Sequence, residues 1–402
     1  YPGTSFTGVA IYLFLNAIGA NITLQQSAVY TPVLLGVFAC IVTYYFARDI
    51  WGRSAGLLAA LFLGFSSSLI SRTSLGFFRN EAIGIPAMIL AFLFFLRGID
   101  NTRSLRATII YAILSSLSLT FMAFSWGSFR YAVQVMGLFT LAMVLVRKYS
   151  PRLTLTYGIT VGFFLLIGTG IPYLGRTFLE ESTTLALVGI MGVLVLAEGM
   201  NQLRTSRERM FLVIGAVVGV FLAAIILPQS GIATNVGAKF LATINPFIRN
   251  NIPLVASVAE NRPATWASFY LELGPLTLLG VFGLFIAFQR LRPADILVII
   301  YGTTAFYFAA SLVRLSLLLA PAISILAAMA VVGFARPALH IIQQASIFPR
   351  RGARFIQRIN REAGLVYLGL ILLIVMPPIV SAVDSAYTPV TIASSSLPTR
   401  GA

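Results

Sequence analysis

Long apolar runs alternate with short polar breaks along almost the whole chain. The runs fall near residues 28–47, 54–70, 82–96, 107–125, 129–146, 153–171, 182–197, 210–227, 273–288, 295–312, 315–334 and 363–382. Apolar stretches of about 18 or more residues read as membrane-crossing helices. The pattern therefore predicts an all-α polytopic membrane bundle of about 12 spanning helices. A thirteenth run, 5–19, is shorter and more polar. It either spans or lies in the interface as an amphipathic helix, and its periodicity does not choose between them.

Composition agrees with the pattern. A mean hydropathy of +0.92, 58% hydrophobic residues and 10% charged residues exclude an ordinary soluble domain, in which about a quarter of residues are charged. The formal net charge of +16 would suggest nucleic acid if it were clustered. Instead it is spread through short loops. Alternate loops, beginning with the one that carries Arg48 and Arg53 and ending with the one from Arg336 to Arg361, hold 19 of the 28 basic residues. That bias marks them as cytoplasmic and sends the other loops outward. Cys40 is the lone cysteine, so an intrachain disulfide is excluded, and His340, the lone histidine, lies in a basic loop, which speaks against a His-based triad or a zinc site. Few ionisable residues lie inside the runs, which argues against an ion or proton pathway. The chain opens on Tyr1 without the basic start of a signal peptide, and reads as a piece of a longer protein.

The chemistry is expected on the outward side. Only 12 acids occur in 402 residues, and Glu81, Glu180, Glu181, Glu260, Glu272 and Asp384 fall there. Three outward segments stand out. In SRTSLGFFRNEAIGI (71–85), Glu81 opens an apolar helix, where the helix dipole stabilises an anion; it is either a helix-end charge or a ligand. In SVAENRPATW (257–266), Glu260 and Trp266 lie in a loop of about 45 residues, 228–272, and loops of that length usually have a function or lack order. In SLVRLSLLLAPA (311–322), Arg314 sits at a membrane boundary with no acid nearby in sequence. It either snorkels or clamps a phosphate, for which a guanidinium fork is suited. Two carboxylates could hold a hard cation such as Mg²⁺ or Mn²⁺, and a lipid-linked phosphate is a fitting substrate because its tail lives in the bilayer.

The order YPG, SRTSLGFFRNEAIGI, FSWGSFRY, SVAENRPATW and VRLSLLLAPA resembles the catalytic subunit of oligosaccharyltransferase, the archaeal type most of all, from Tyr1 to about residue 385. The resemblance implies a bundle of the lipid-carrier glycosyltransferase type. It also implies transfer of a glycan from a dolichyl phosphate or pyrophosphate carrier to Asn of Asn-X-Ser/Thr sequons at the outer face, with Mn²⁺ or Mg²⁺. Residues 1–27 then belong to a first external loop and 5–19 to an interfacial helix. Residues 28–385 form the bundle, and 386–402 lead toward a C-terminal soluble domain. By the same resemblance Glu260 contacts metal and acceptor amide, Glu81 is a metal ligand, Arg314 meets the carrier phosphate, and Arg72 assists it. Trp126 and Gly127 match a structural pair at an outer helix turn. The implied partners are a lipid-linked oligosaccharide, an acceptor polypeptide, membrane lipids and accessory subunits, with no nucleic acid. The implied location is the plasma membrane of an archaeon or the endoplasmic reticulum of a eukaryote.

Three departures from the family pattern qualify those expectations. Arg79 stands where the family has the first acid of the motif ending at Glu81. An upstream acidic motif and the sequon-reading soluble domain fall outside the chain, so this piece alone is expected to bind carrier without glycosylating. A diverged, non-catalytic homologue that binds the carrier is the competing reading; another lipid-carrier glycosyltransferase or a transporter fits the motifs less well. Asn21-Ile22-Thr23 matches an N-glycosylation sequon.

Overall fold

A computed structural model describes residues 1–203, 207, 261–344 and 355–394 of the chain. Every regular element among them is helical. In chain order they are α1 (Pro2–Ala17), α2 (Leu24–Trp51), α3 (Arg53–Gly64), α4 (Ser67–Thr73), α5 (Asn80–Gly98), α6 (Leu105–Ser125), α7 (Phe129–Leu145), α8 (Pro151–Gly168) and α9 (Ser182–Gln202), then α10 (Trp266–Leu273), α11 (Leu276–Arg290), α12 (Pro293–Ser311), α13 (Ser316–Gln344) and α14 (Phe355–Ser394). Among the described residues eight helices are long and apolar enough to cross a membrane, or up to ten if two bent pairs each count as one span. The all-α membrane bundle expected from the runs is thus present. The run 210–227 lies outside the described residues, and the run 129–146 forms α7, a helix of 17 residues.

One run that reads as a single helix is broken, and a second bend opens the run 273–288. The run 54–70 becomes α3 and α4, bent by 59°. The break falls at Phe65-Ser66, where Ser66, Ser67 and Ser68 follow one another; serine hydroxyls compete for backbone partners and weaken a helix interior. The second break, 89° between α10 and α11, falls at Gly274-Pro275. Gly274 has φ +57°, a left-handed conformation that glycine adopts without steric cost. Hydropathy averages over such positions, so neither bend shows in it. Within the expected loop 228–272, a helix begins at Trp266 and runs to Leu273, started by Thr265, whose hydroxyl accepts from the Ser268 N–H at 3.2 Å. At the other end of the chain α14 continues to Ser394, beyond residue 385.

The core gathers around α13. Its sequence from Ser316 to Gly333 is apolar on every side and rich in Ala, the mark of a helix surrounded by others, and the apolar window of this segment is entirely buried. α11 crosses it at Gly283, where a Cβ would overlap the Leu326 backbone; small residues allow such close crossings between membrane helices. α14 is equally apolar, but its window is only 12% buried, as expected of a helix facing lipid. α1 rests on α2, α5 and α6. Gly3 lies against Phe124 and Ser125, and Gly8 against Phe78, so α1 lies by the α6 C-terminus and the segment entering α5.

The predicted basic loops meet at one end of the bundle. Asp49, at the end of α2, pairs with Arg97 at the end of α5 at 2.6 Å and with Arg48 at 3.2 Å. Asp295, at the start of α12, pairs with Arg290 at the end of α11 at 2.6 Å. Arg290 also donates to the Ile50 carbonyl at 3.0 Å and stacks 3.8 Å over Trp51. Arg152 donates to the carbonyls of Asp100 and Arg103 at 3.0 and 2.5 Å. Tyr149 donates to Glu198 at 2.5 Å; burial pushes this phenol up to about 12, and the Glu198 bond adds to the shift.

Candidate functional site at the opposite end of the bundle

The ends of α4, α5, α6, α10, α12 and α13 that face away from the basic loops carry the sequence-predicted residues. Glu81 lies in the first turn of α5. Among the described residues its buried Oε2 has no hydrogen-bond partner. A buried carboxylate oxygen without a donor is costly, and the helix dipole offsets about 0.3–1 kcal/mol of that. This oxygen has room for a cation or a donor from outside the described residues. One turn along, Trp126 packs against α5 where Gly84 leaves room for the indole ring. Trp126 is 8% exposed, and Gly127 lies against the Tyr1 hydroxyl. The Trp-Gly pair thus shapes the wall beside Glu81 by packing.

Arg79 is exposed and extended, with φ −122° and ψ 166°, immediately before α5. Its guanidinium sits 4.9 Å from the Phe77 ring centroid. Arg72, on α4, approaches the same ring at 5.8 Å. The two cations share one aromatic surface, a contact worth about 0.5–1 kcal/mol when exposed, and no ion pair joins Arg79 to Glu81.

Arg314 occupies a short 3₁₀ turn, Val313–Leu315, between α12 and α13. Among the described residues its half-buried guanidinium has no hydrogen bond or ion pair. The turn itself is well anchored. The Ala264 N–H donates to the Ala310 carbonyl at 2.9 Å, and the Val313 N–H donates to the Arg262 carbonyl at 3.0 Å. SVAENRPATW and VRLSLLLAPA, far apart in sequence, are thereby joined side by side. Glu260 lies outside the described residues; Arg262 and Ala264 follow it closely in the chain.

Sequence reasoning missed two features of this end. Ser68 of α4 donates to the carboxylate of Glu272 on α10 and lies 3.2 Å from the Ser316 hydroxyl at the start of α13. Glu272 had been placed on this side, yet nothing in its sequence neighbourhood points to a serine 204 positions away. Likewise Arg130 grips Glu181 with two bonds of 2.9 and 2.6 Å, which removes Glu181 from the free acids. Beside it, burial pushes the Tyr173 phenol up, with Tyr1 and Glu181 adding to the shift. It stays a neutral donor, to the Ala123 carbonyl.

No group of three or more His, Cys, Asp or Glu that could hold a metal occurs among the described residues. The unpartnered oxygen of Glu81 suits a cation, but one carboxylate does not make a site. Between α7 and α12 a cleft of about 440 Å³ is lined by Gln134, Leu138, Thr303, Thr304, Tyr307 and Phe308. It runs beside the helix that leads to Arg314.

Residues 2–327 match the family described as "Oligosaccharyl transferase STT3, N-terminal". The STT3 subunit of dolichyl-diphosphooligosaccharide–protein glycosyltransferase from Dictyostelium discoideum is 30% identical over 342 residues, covering 82% of this chain and 47% of that protein. The chain thus spans about half the length of the curated relatives it matches. Among solved structures, the archaeal oligosaccharyltransferase AglB from Archaeoglobus fulgidus, in complex with an inhibitory peptide and a dolichol-phosphate, superposes with a TM-score of 0.71 at 16% identity, over 96% of this chain and 48% of that one. The same enzyme tethered to an acceptor peptide containing the NVT sequon gives 0.65 at 18% identity, over 96% and 47%. Its complex with Zn and sulfate gives 0.61 at 16%, over 96% and 44%. At these identities the structures establish the fold.

Proposed function

The chain belongs to the STT3 family of oligosaccharyltransferases, and from that premise we propose that it is the membrane part of an enzyme that moves a glycan from a dolichyl phosphate or pyrophosphate carrier to the Asn of an Asn-X-Ser/Thr sequon. Transfer takes place at the outer membrane face, or the lumenal face if the membrane is that of the endoplasmic reticulum. The observation that carries the reading is the pairing of unmet charges at one end of the bundle. Glu81 has a buried oxygen with no donor, and Arg314 has no anion among the described residues.

The reaction is a displacement at the anomeric carbon. The acceptor amide nitrogen forms the new C–N bond, the bond from that carbon to the carrier's phosphate oxygen breaks, and the amide gives up one proton to a basic oxygen. The amide lone pair is conjugated, so the nitrogen is a poor nucleophile. Glu260, as a carboxylate accepting from the amide N–H groups, favours rotation about the C–N bond and weakens that conjugation. Arg314 stabilises charge on the departing phosphate, a preorganised electrostatic contribution, and Arg72 assists it from α4. Glu81, together with Glu260, would hold a divalent cation, Mn²⁺ or Mg²⁺, which when bound supplies Lewis-acid stabilisation of the leaving group. The hydrocarbon tail of the carrier fits the cleft between α7 and α12, because that cleft is mainly apolar and lies along the helix that ends near Arg314.

An in vitro assay with a lipid-linked glycan, a sequon peptide and the full-length protein tests this reading. Glu260→Gln is expected to lower transfer on the order of 100-fold or more, and omission of Mn²⁺ and Mg²⁺ to abolish it. Near-normal turnover in the variant counts against the reading. Arg79 favours a second reading, a non-catalytic homologue that binds carrier, because a guanidinium cannot ligate a cation. Carrier binding without transfer by the full-length protein, at any metal concentration, would select it.

A further inference from the structure

We infer that Glu272 is a positioning residue for the Arg314 turn, acting through Ser68 and Ser316; this rests on the reading of Arg314 as the carrier-phosphate ligand. A serine hydroxyl has one proton, and an ionised carboxylate only accepts. Ser68 contacts both the Glu272 carboxylate and the Ser316 Oγ. Ser68 is the donor toward both, so its one proton is shared between the Glu272 carboxylate and the Ser316 Oγ. The carboxylate thereby fixes where the Ser68 hydroxyl points, and Ser68 links Glu272 to Ser316, two residues from Arg314.

The location gives this chain its purpose. Ser68 lies just after the break between α3 and α4, and Glu272 just before the break between α10 and α11, so the two bent helix pairs touch at their bends. Ser316 is 8% exposed and opens α13, the most buried helix. On its other side the turn is bonded by backbone to Arg262, and the end of α12 just before it, at Ala310, to Ala264. One outward segment therefore holds the Arg314 turn at two points, through its backbone at 262–264 and through the Glu272 side chain. An Arg with no partner among the described residues depends on its backbone for aim, and hydrogen bonds to a charged group are strong enough to fix one.

The test uses the full-length protein and two readouts: hydrogen exchange of amides 312–315, and KM for a lipid-linked glycan measured apart from kcat. Glu272→Ala and Ser68→Ala are each expected to raise exchange of these amides and KM for the carrier on the order of tenfold, with kcat and the KM for peptide changed much less. The double variant should be no worse than either single one, because both break the same chain. Glu272→Gln, whose amide oxygen still accepts from Ser68, should keep most of both properties. Unchanged exchange in Glu272→Ala, additive effects in the double variant, or a Gln variant as impaired as the Ala variant would each overturn the inference. Arg314→Ala separates this inference from the reading it rests on. If that variant leaves the carrier KM unchanged, the phosphate assignment fails, while the exchange readout still decides whether Glu272 positions the turn.

Discussion

At the basic end of the bundle Asp49 meets Arg97 and Arg48, and Asp295, with no exposed side-chain surface, meets Arg290. At the opposite end Arg314 has no partner among the described residues, and the buried oxygen of Glu81 has no donor. The difference is not one of burial alone, since Arg130 and Glu181 sit at the second end and are fully paired. Charges that hold helices together find each other within the chain. Those without a partner among the described residues, in a lipid-embedded bundle where desolvation is expensive, are the ones we propose meet a ligand.

Breaking the basic end gives the largest expected effect on stability. Among the described residues Asp295→Ala leaves Arg290 with the Ile50 carbonyl and the Trp51 ring, and loss of one partner of a buried pair costs about 3–5 kcal/mol. The thermal unfolding midpoint in detergent should fall by many degrees, whereas the carrier KM of the folded fraction should not move. A change in KM at unchanged stability would erase the distinction between the two ends.

This contrast shows what the sequence made legible. Run lengths predicted the helices, and the Arg bias grouped loops whose side chains do meet at one end. Glu81 and Arg314 stood out because acids are rare and Arg314 lacks a sequence neighbour of opposite charge. Partnerships were not legible. Arg130 with Glu181 and Ser68 with Glu272 join residues 51 and 204 positions apart, and hydropathy has no term for such pairs. The bend at Ser66 is lost for a similar reason, since a window average does not register one residue that frees the backbone, while the helix before Gly274 falls in a stretch that reads as loop.

A packing change at the opposite end has a smaller expected effect. Gly84→Ala drives a methyl into the Trp126 ring, and overpacking of this kind costs about 1–3 kcal/mol. Because Trp126 forms the wall beside Glu81, the unfolding midpoint and the transfer rate should fall together. A rate unchanged at lowered stability would detach Trp126 from the site. The smallest effect is expected at Asp100 and Arg103, paired at 3.2 Å with both side chains 35% exposed. Exposed pairs contribute about 0–1 kcal/mol, so Arg103→Ala should leave both unfolding midpoint and transfer nearly unchanged. A large loss would show that the basic end is more than scaffold.

The most direct test of the central claim, that unmet charge at this end is reserved for substrate and cation, is a Mn²⁺ titration of glycan transfer by full-length Glu81→Gln. The account predicts a folded protein whose maximal transfer is lower on the order of 100-fold, with half-saturation displaced to higher Mn²⁺. Wild-type turnover at wild-type Mn²⁺ dependence would contradict it.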